Sequence, residues 1–330
     1  MIRHELIATL PLEAGGTLEN AHIVYHTSGV RRGRVIWICH ALTANSNPED
    51  WWPQMVGPGK PLDSEKDFIV CVNKLGSPYG SEGPARPRPG SGKPWMLDFP
   101  EITIRDIVSA LIAVRKHLGI ERIDLLVGSS TGGFQALEWA VTEPDRFLRC
   151  AFLATAPRIS PYVGATIEAQ RMALEADPTF REARSLQGGA AGLKCARAQA
   201  LISYRSFEGY ALTQAEEDPD TLFAGRVASY ERYQGEKLVR RGFDAYSYYT
   251  LTRAMDSHNV GRGRGGVRAA LGRIQASCRV VSIDSDALFP PSEGREWASW
   301  IPDARFFEIS SQFGHDGFLL ETAKLSAIIL

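Results

Sequence analysis

The chain carries almost no excess of either charge: 37 basic side chains stand against 38 acidic ones, a formal net charge of −1 over 330 residues. A surface without a dominant sign lacks the field that gathers polyanions. Nucleic acid and an anionic membrane surface are therefore excluded as general partners, and small molecules are expected instead. Cysteine is scarce as well. The five present (Cys39, Cys71, Cys150, Cys195 and Cys278) are odd in number and include no C-x-x-C pair, which argues against a disulfide framework or a zinc site and for reduced thiols in a cytosolic protein. Long apolar runs are missing too. The start, Met1-Ile-Arg-His-Glu-Leu, has no apolar region of signal-peptide length, and nowhere do 18 uncharged apolar residues follow one another, so the expectation is a cytoplasmic protein, neither exported nor anchored.

Phosphate-binding loops are also wanting. Gly261-Arg-Gly-Arg-Gly-Gly266 fits G-x-G-x-x-G formally, but it follows a helical pattern instead of a strand. Gly57-Pro-Gly-Lys60 has neither the spacing nor the Ser/Thr after lysine of a P-loop. Both are read as loops, and no metal or tightly bound cofactor is expected.

What the chain does contain is alternation. Val35–Cys39, Phe68–Val72, Ile123–Val127 and Cys150–Ala154 are short, continuous apolar runs, the pattern of strands buried on both faces in a mainly parallel sheet. Between them, Thr103 to Leu118 places Ile107, Ala110, Leu111 and Val114 at helical spacing, and Thr131 to Thr142 reads as a second helix. From about Pro157 to Ala276 the pattern turns helical (Ala165–Ala176, Gly192–Tyr204, Tyr230–Arg240), and strands resume at Arg279–Ile283 and Ala304–Ile309. An α/β domain of residues 1–156 and 277–330, split by a helical insertion of residues 157–276, accounts for this order. At 330 residues the chain can bury a sizeable core unaided.

The junction of the third strand and the second helix reads Gly128-Ser-Ser130-Thr-Gly132. G-x-S-x-G between a strand and a helix is a nucleophile elbow: the tight turn exposes the serine oxygen above a helix N-terminus. Only the frame centred on Ser130 has glycine at both flanks. A nucleophilic serine needs a base, and the base needs a carboxylate to hold its tautomer. In chain order these follow the elbow as acid, then histidine. His258 and His315 both lie after Ser130, and His315 directly follows the last strand, in Gly314-His-Asp-Gly317. Of the two carboxylates after the preceding strand, Asp284 adjoins the strand and Asp286 opens the next loop, so Asp286 is the predicted acid. The oxyanion requires two N–H donors. Thr131 supplies one, and the loop His40-Ala-Leu42-Thr43 supplies the other, with Leu42 the expected donor and His40 a structural support.

Beyond the elbow, the segments Cys39–Thr43, Val72–Gly76, Tyr79–Pro84, Thr103–Ile107, Gly132–Trp139, Ser203–Ser206, Ala254–His258, Ser285–Pro290 and Gly314–Phe318 resemble, in register, the homoserine O-acetyltransferase family of α/β-hydrolase-fold enzymes of methionine biosynthesis. The resemblance implies the triad Ser130, Asp286 and His315. It further implies that Arg197 holds the homoserine carboxylate with Tyr204 nearby, and that Asp316 engages the amino or hydroxyl end. It also implies acetyl-CoA as co-substrate, the helical insertion as a lid, and a homodimer formed through lid helices. Three positions depart from the family pattern: Thr131 replaces an aliphatic residue after the serine, Gly242 interrupts an Arg-Phe-Asp run, and Ala44-Asn45 replaces Gly-Asp. A succinyl donor, or ester hydrolysis, would use the same machinery.

Overall fold

The computed structural model describes residues 1–223 and 225–330. Its centre is an eight-stranded sheet. Six strands form where short, largely apolar runs occur: β3 (Val35–Cys39), β4 (Phe68–Val72), β5 (Ile123–Ser129), β6 (Phe147–Leu153), β7 (Ser277–Ile283) and the more polar edge strand β8 (Ala304–Ile309). These six run parallel to one another, while β4 meets the next strand on its outer side antiparallel. The chain's first 29 residues add β1 (Ile2–Pro11) and β2 (Thr17–Gly29), an antiparallel pair that continues the sheet beyond β4. The strand order is β1-β2-β4-β3-β5-β6-β7-β8, so the crossover falls beside β3 and β5, whose C-terminal ends carry the oxyanion loop and the elbow.

Residues alternate between the sheet's two faces. Trp37 and Cys39 of β3 join the larger core, while Ile36 and Ile38 join the smaller one opposite. On the larger side lie α1 (Ile104–His117), opened by a reciprocal Thr103–Asp106 capping box, and α2 (Thr131–Thr142). Every residue of α2 except Thr142 is buried. Trp139 of α2 meets Trp37 edge to face, with ring centroids 4.9 Å apart. After β7 come α10 (Pro291–Ala298), and after β8 the short α11 (Gly317–Leu320) and α12 (Thr322–Ile329), which close the smaller core.

Between β6 and β7 the chain leaves the sheet and forms, among the described residues, α3 (Pro161–Glu175), α4 (Pro178–Glu182), α5 (Ala190–Tyr204), α6 (Phe207–Gln214), α7 (Gly225–Arg240), α8 (Ala245–Asp256) and α9 (Val267–Leu271). Side-chain oxygens of Ser160, Asp177, Ser206 and Asp244 cap four of these helices. The insertion's neck is tied by Ile159 N–H to His258 O (3.0 Å) and Val260 N–H to Pro157 O (3.0 Å). His258 is locked in this neck, stacked on Phe134 at 3.9 Å and bonded through Nε2 to Ala156 O at 2.8 Å. Burial pushes its pKa down to about 3. Among the described residues, no helix is long and apolar enough to cross a membrane.

Candidate active site

The elbow is built by close backbone approach. A β-carbon on Gly128 would stand 2.3 Å from Gly132 O, and one on Gly132 would stand 2.0 Å from Cys39 O, so side chains at the two flanks would push α2 away from β5 and from the oxyanion loop. Ser130 itself adopts φ 54°, ψ −125°, a strained conformation for a residue with a side chain. The surroundings hold it there: Ser130 N–H donates to Leu153 O at 3.0 Å, and the Thr155 hydroxyl donates to Ser130 O at 2.9 Å.

His315 Nε2 lies 2.8 Å from Ser130 Oγ, and its Nδ1 lies 2.7 Å from Asp286 Oδ2. Asp286 and His315 are buried, whereas Ser130 is half-exposed toward a cleft. The second carboxylate oxygen, Asp286 Oδ1, accepts from the amides of Leu288 (2.8 Å) and Phe289 (3.2 Å), so the carboxylate cannot rotate. Burial disfavours the imidazolium of His315, but the charge and hydrogen bond of Asp286, with Asp316 adding to them, outweigh it and hold the pKa above the ordinary histidine value. Asp284 accepts from Ser311 N–H at 3.0 Å, fastening the loop that carries His315.

The cleft has a volume of about 140 Å³ and is open to solvent. Leu42, Ser130, Arg197, Tyr204, His315 and Asp316 all line it. Among the described residues, the amides of Leu42 and Thr131 donate to no other group, which leaves both N–H donors free for an oxyanion. The Arg197 guanidinium lies 5.6 Å from the ring centre of Tyr204, a cation–π contact. Asp316 is already occupied: its Oδ2 sits 2.9 Å from Arg205 Nε, and burial raises its pKa in spite of that cation.

Residues 34–322 match the family of the alpha/beta hydrolase fold. A homoserine O-acetyltransferase from Cyclobacterium marinum is 41% identical over 324 residues, 97% of this chain and 91% of its own length. The chain belongs to the homoserine O-acetyltransferase family. Among solved structures, the homoserine O-acetyltransferase from Bacillus anthracis has a TM-score of 0.89 at 22% identity, covering 99% of this chain and 97% of that one. Esterase E22 has a TM-score of 0.88 at 21% identity, covering 99% and 98%. Both likenesses speak to the fold alone.

In this homoserine O-acetyltransferase family member three site features escape sequence reasoning. Arg241 also lines the cleft, presented by the turn after α7 that the extra Gly242 closes at φ 80°. Arg205 follows Tyr204 and takes the carboxylate of Asp316. Lys74 lies behind the oxyanion loop, 2% exposed. A long charged side chain is by default solvated, and nothing in the sequence around Lys74 marks it as buried.

Proposed function

We propose that the protein transfers the acetyl group of acetyl-CoA to the hydroxyl of homoserine by double displacement through an acetyl-Ser130 intermediate. The observation that carries the reading is the hydrogen-bonded Ser130–His315–Asp286 relay, opening on a cleft that also presents Arg197. His315 takes the Ser130 proton as Oγ attacks the thioester carbonyl, and the tetrahedral oxyanion is received by the amides of Leu42 and Thr131. Collapse expels the CoA thiolate, which leaves with the proton from His315. Homoserine then enters with its carboxylate on Arg197 beside Tyr204. His315 takes the proton of its side-chain hydroxyl, and attack on the acetyl-serine gives O-acetyl-homoserine and free Ser130. Asp316 is available to the substrate's ammonium, in exchange with or alongside Arg205. Each proton and bond is supplied by side chains and the two substrates, with no metal or tightly bound cofactor.

Transfer must outrun hydrolysis. Orientation does this when the acceptor is held against the acyl group, where effective molarities of about 10⁵–10⁸ M are reached. The test is incubation with homoserine and either acetyl-CoA or succinyl-CoA, following thiol release and the mass of the amino-acid product. Thiol release that ignores homoserine would leave an esterase-type hydrolase and defeat the transferase reading. Succinyl-CoA is the second arm because the Arg241 guanidinium in the cleft favours an anionic acyl group; a succinylated product would decide for it.

Arg197 offers a sharper check. Charge-assisted hydrogen bonds are worth about 1.5–3 kcal/mol, so Arg197→Met is expected to raise the KM for homoserine roughly 10- to 150-fold while leaving acylation by the thioester within about twofold. Equal losses in both half-reactions would remove the carboxylate role. The homodimer reading is supported by apolar side chains that the insertion leaves exposed, among them Phe207, Leu222 and Phe223. Sedimentation at the mass of one chain would refute it. All five cysteines are free thiols, which suits a cytoplasmic location; finding the protein in an exported fraction would contradict this.

A further inference from the structure

Lys74 follows β4 and is buried behind the two proposed oxyanion donors. Its Nζ donates to Ala41 O at 2.9 Å and to the Thr131 hydroxyl at 3.2 Å, with Leu42 O at 3.5 Å. The carbonyl of Ala41 and the N–H of Leu42 belong to one planar trans peptide unit, so a donor that fixes the carbonyl also fixes where the N–H points, on the opposite side. His40 adds a second lock. Its Nε2 accepts from Lys74 N–H at 3.2 Å, which leaves the proton on Nδ1 to donate to Ala41 O at 2.9 Å. The other contact, through Thr131 Oγ1, ties the same ammonium to the residue whose amide is the second donor. Threonine in place of the family's aliphatic residue is what makes this tie possible.

Lys74 forms no ion pair among the described residues. The titratable groups facing it are the thiols of Cys39 and Cys71 and the imidazole of His40. Burial pushes both thiols up, and it pushes His40 well below its ordinary value, with the lysine's charge adding to that effect. All three are uncharged at neutral pH. A buried cation without a counter-charge is destabilising, and negative charge arises next to it only during the reaction.

We propose that Lys74 is a positioning residue of the oxyanion hole: its ammonium clamps the Ala41–Leu42 peptide to Thr131, polarises the Leu42 N–H, and supplies the positive charge that balances the tetrahedral oxyanion. This rests on the acyl-serine reading above. Burial lowers the lysine's pKa to about 7. The charged form is therefore present below that value and lost above it, so acylation should slow as pH rises through it.

The test is the burst of p-nitrophenol when the full-length protein meets p-nitrophenyl acetate, recorded against pH for wild type and Lys74→Met, with melting curves alongside. Wild type should give a burst of one equivalent with an alkaline limb centred near pH 7. Loss of one oxyanion donor costs about 10²–10³-fold, and since K74M loosens the donors without removing them, its burst should be roughly 30- to 100-fold slower, equal in size, without the alkaline limb, and with no fall in Tm. A burst in K74M at the wild-type rate, or one that keeps the limb, overturns the inference alone. A loss of rate matched by a large fall in Tm makes Lys74 structural and also overturns it. If K74M does not fold, the wild-type profile decides, and the absence of an alkaline limb there is the negative result. No burst in wild type would overturn the acyl-serine reading itself.

Discussion

Replacing Ser130 with alanine is expected to abolish the acyl-enzyme and lower turnover by about 10⁶-fold, the loss seen when the nucleophile is removed from a relay acting as a unit. The geometry makes this a clean deletion. Ser130 Oγ makes its hydrogen bond only with His315 Nε2 among the described residues, while the strained backbone is held by Leu153, Thr155 and the glycines at 128 and 132. Alanine meets the same φ cost as serine, so Tm should move little. The check is the intact mass after exposure to acetyl-CoA without homoserine. Wild type should gain one acetyl group and S130A none, with the added group on the Ser130 peptide after digestion. An S130A protein that still acetylates, or turns over within about tenfold of wild type, would require a different nucleophile. What activity survives comes from binding and the oxyanion donors, about 10³–10⁴ over water.

How far the chain could be read from its residues varies with the physics of each part. Val35–Cys39 and Phe68–Val72 begin and end in the structure where their apolar runs begin and end, because a strand buried on both faces must be apolar throughout and stops where polar residues start. The pair β1–β2 is different. Its strands face solvent on one side, His4, Glu5, His22 and His26 interrupt the apolar alternation, and its place beside β4 is set by pairing some 45 residues apart in sequence (Tyr25 with Val72). No local pattern announces that. The helical insertion was legible in kind, though α5 and α7 begin two and five residues before the periodicity does, at Ala190 and Gly225, since small residues open a helix without marking it.

At the candidate site, chain order and strand ends had pointed to Ser130, Asp286 and His315, which the structure brings within hydrogen-bond distance, because an elbow constrains its own sequence and its candidate partners follow at strand termini. Arg197, Tyr204 and Asp316 were accessible through resemblance alone: nothing in an isolated arginine on a helix says which way it faces. The Arg205–Asp316 pair and the burial of Lys74 depend on how the insertion and the loop after β4 fold back over the sheet. Such long-range facts are written in no window of the sequence.

Asp286→Asn should cost about 10⁴-fold in acylation with the fold intact, and the reason is in the hydrogen bonds. Asp286 Oδ1 receives the amides of Leu288 and Phe289. In the asparagine variant that position must be taken by the amide oxygen, which alone can accept, so the NH₂ group is turned toward His315 Nδ1. The imidazole must then offer a lone pair at Nδ1 and carry its proton on Nε2, facing Ser130 Oγ with nothing to accept the serine proton. The pH profile separates this from mere misplacement. In wild type the Asp286 carboxylate raises the His315 pKa against the effect of burial, so activity is lost as pH falls through that raised value, where the imidazole becomes protonated. Without the carboxylate only burial and the weaker field of Asp316 remain, and the acid limb should move to lower pH while the maximal rate falls. The linkage has the same sign: a histidine pKa raised by folding contributes stability below the unfolded value near 6.5 that is lost as pH rises through the folded one. D286N should therefore lose Tm more at pH 5 than at pH 9. An unshifted acid limb, or a loss of only about tenfold, would show that His315 takes its tautomer from some other partner, and Asp316 would be the carboxylate to examine next.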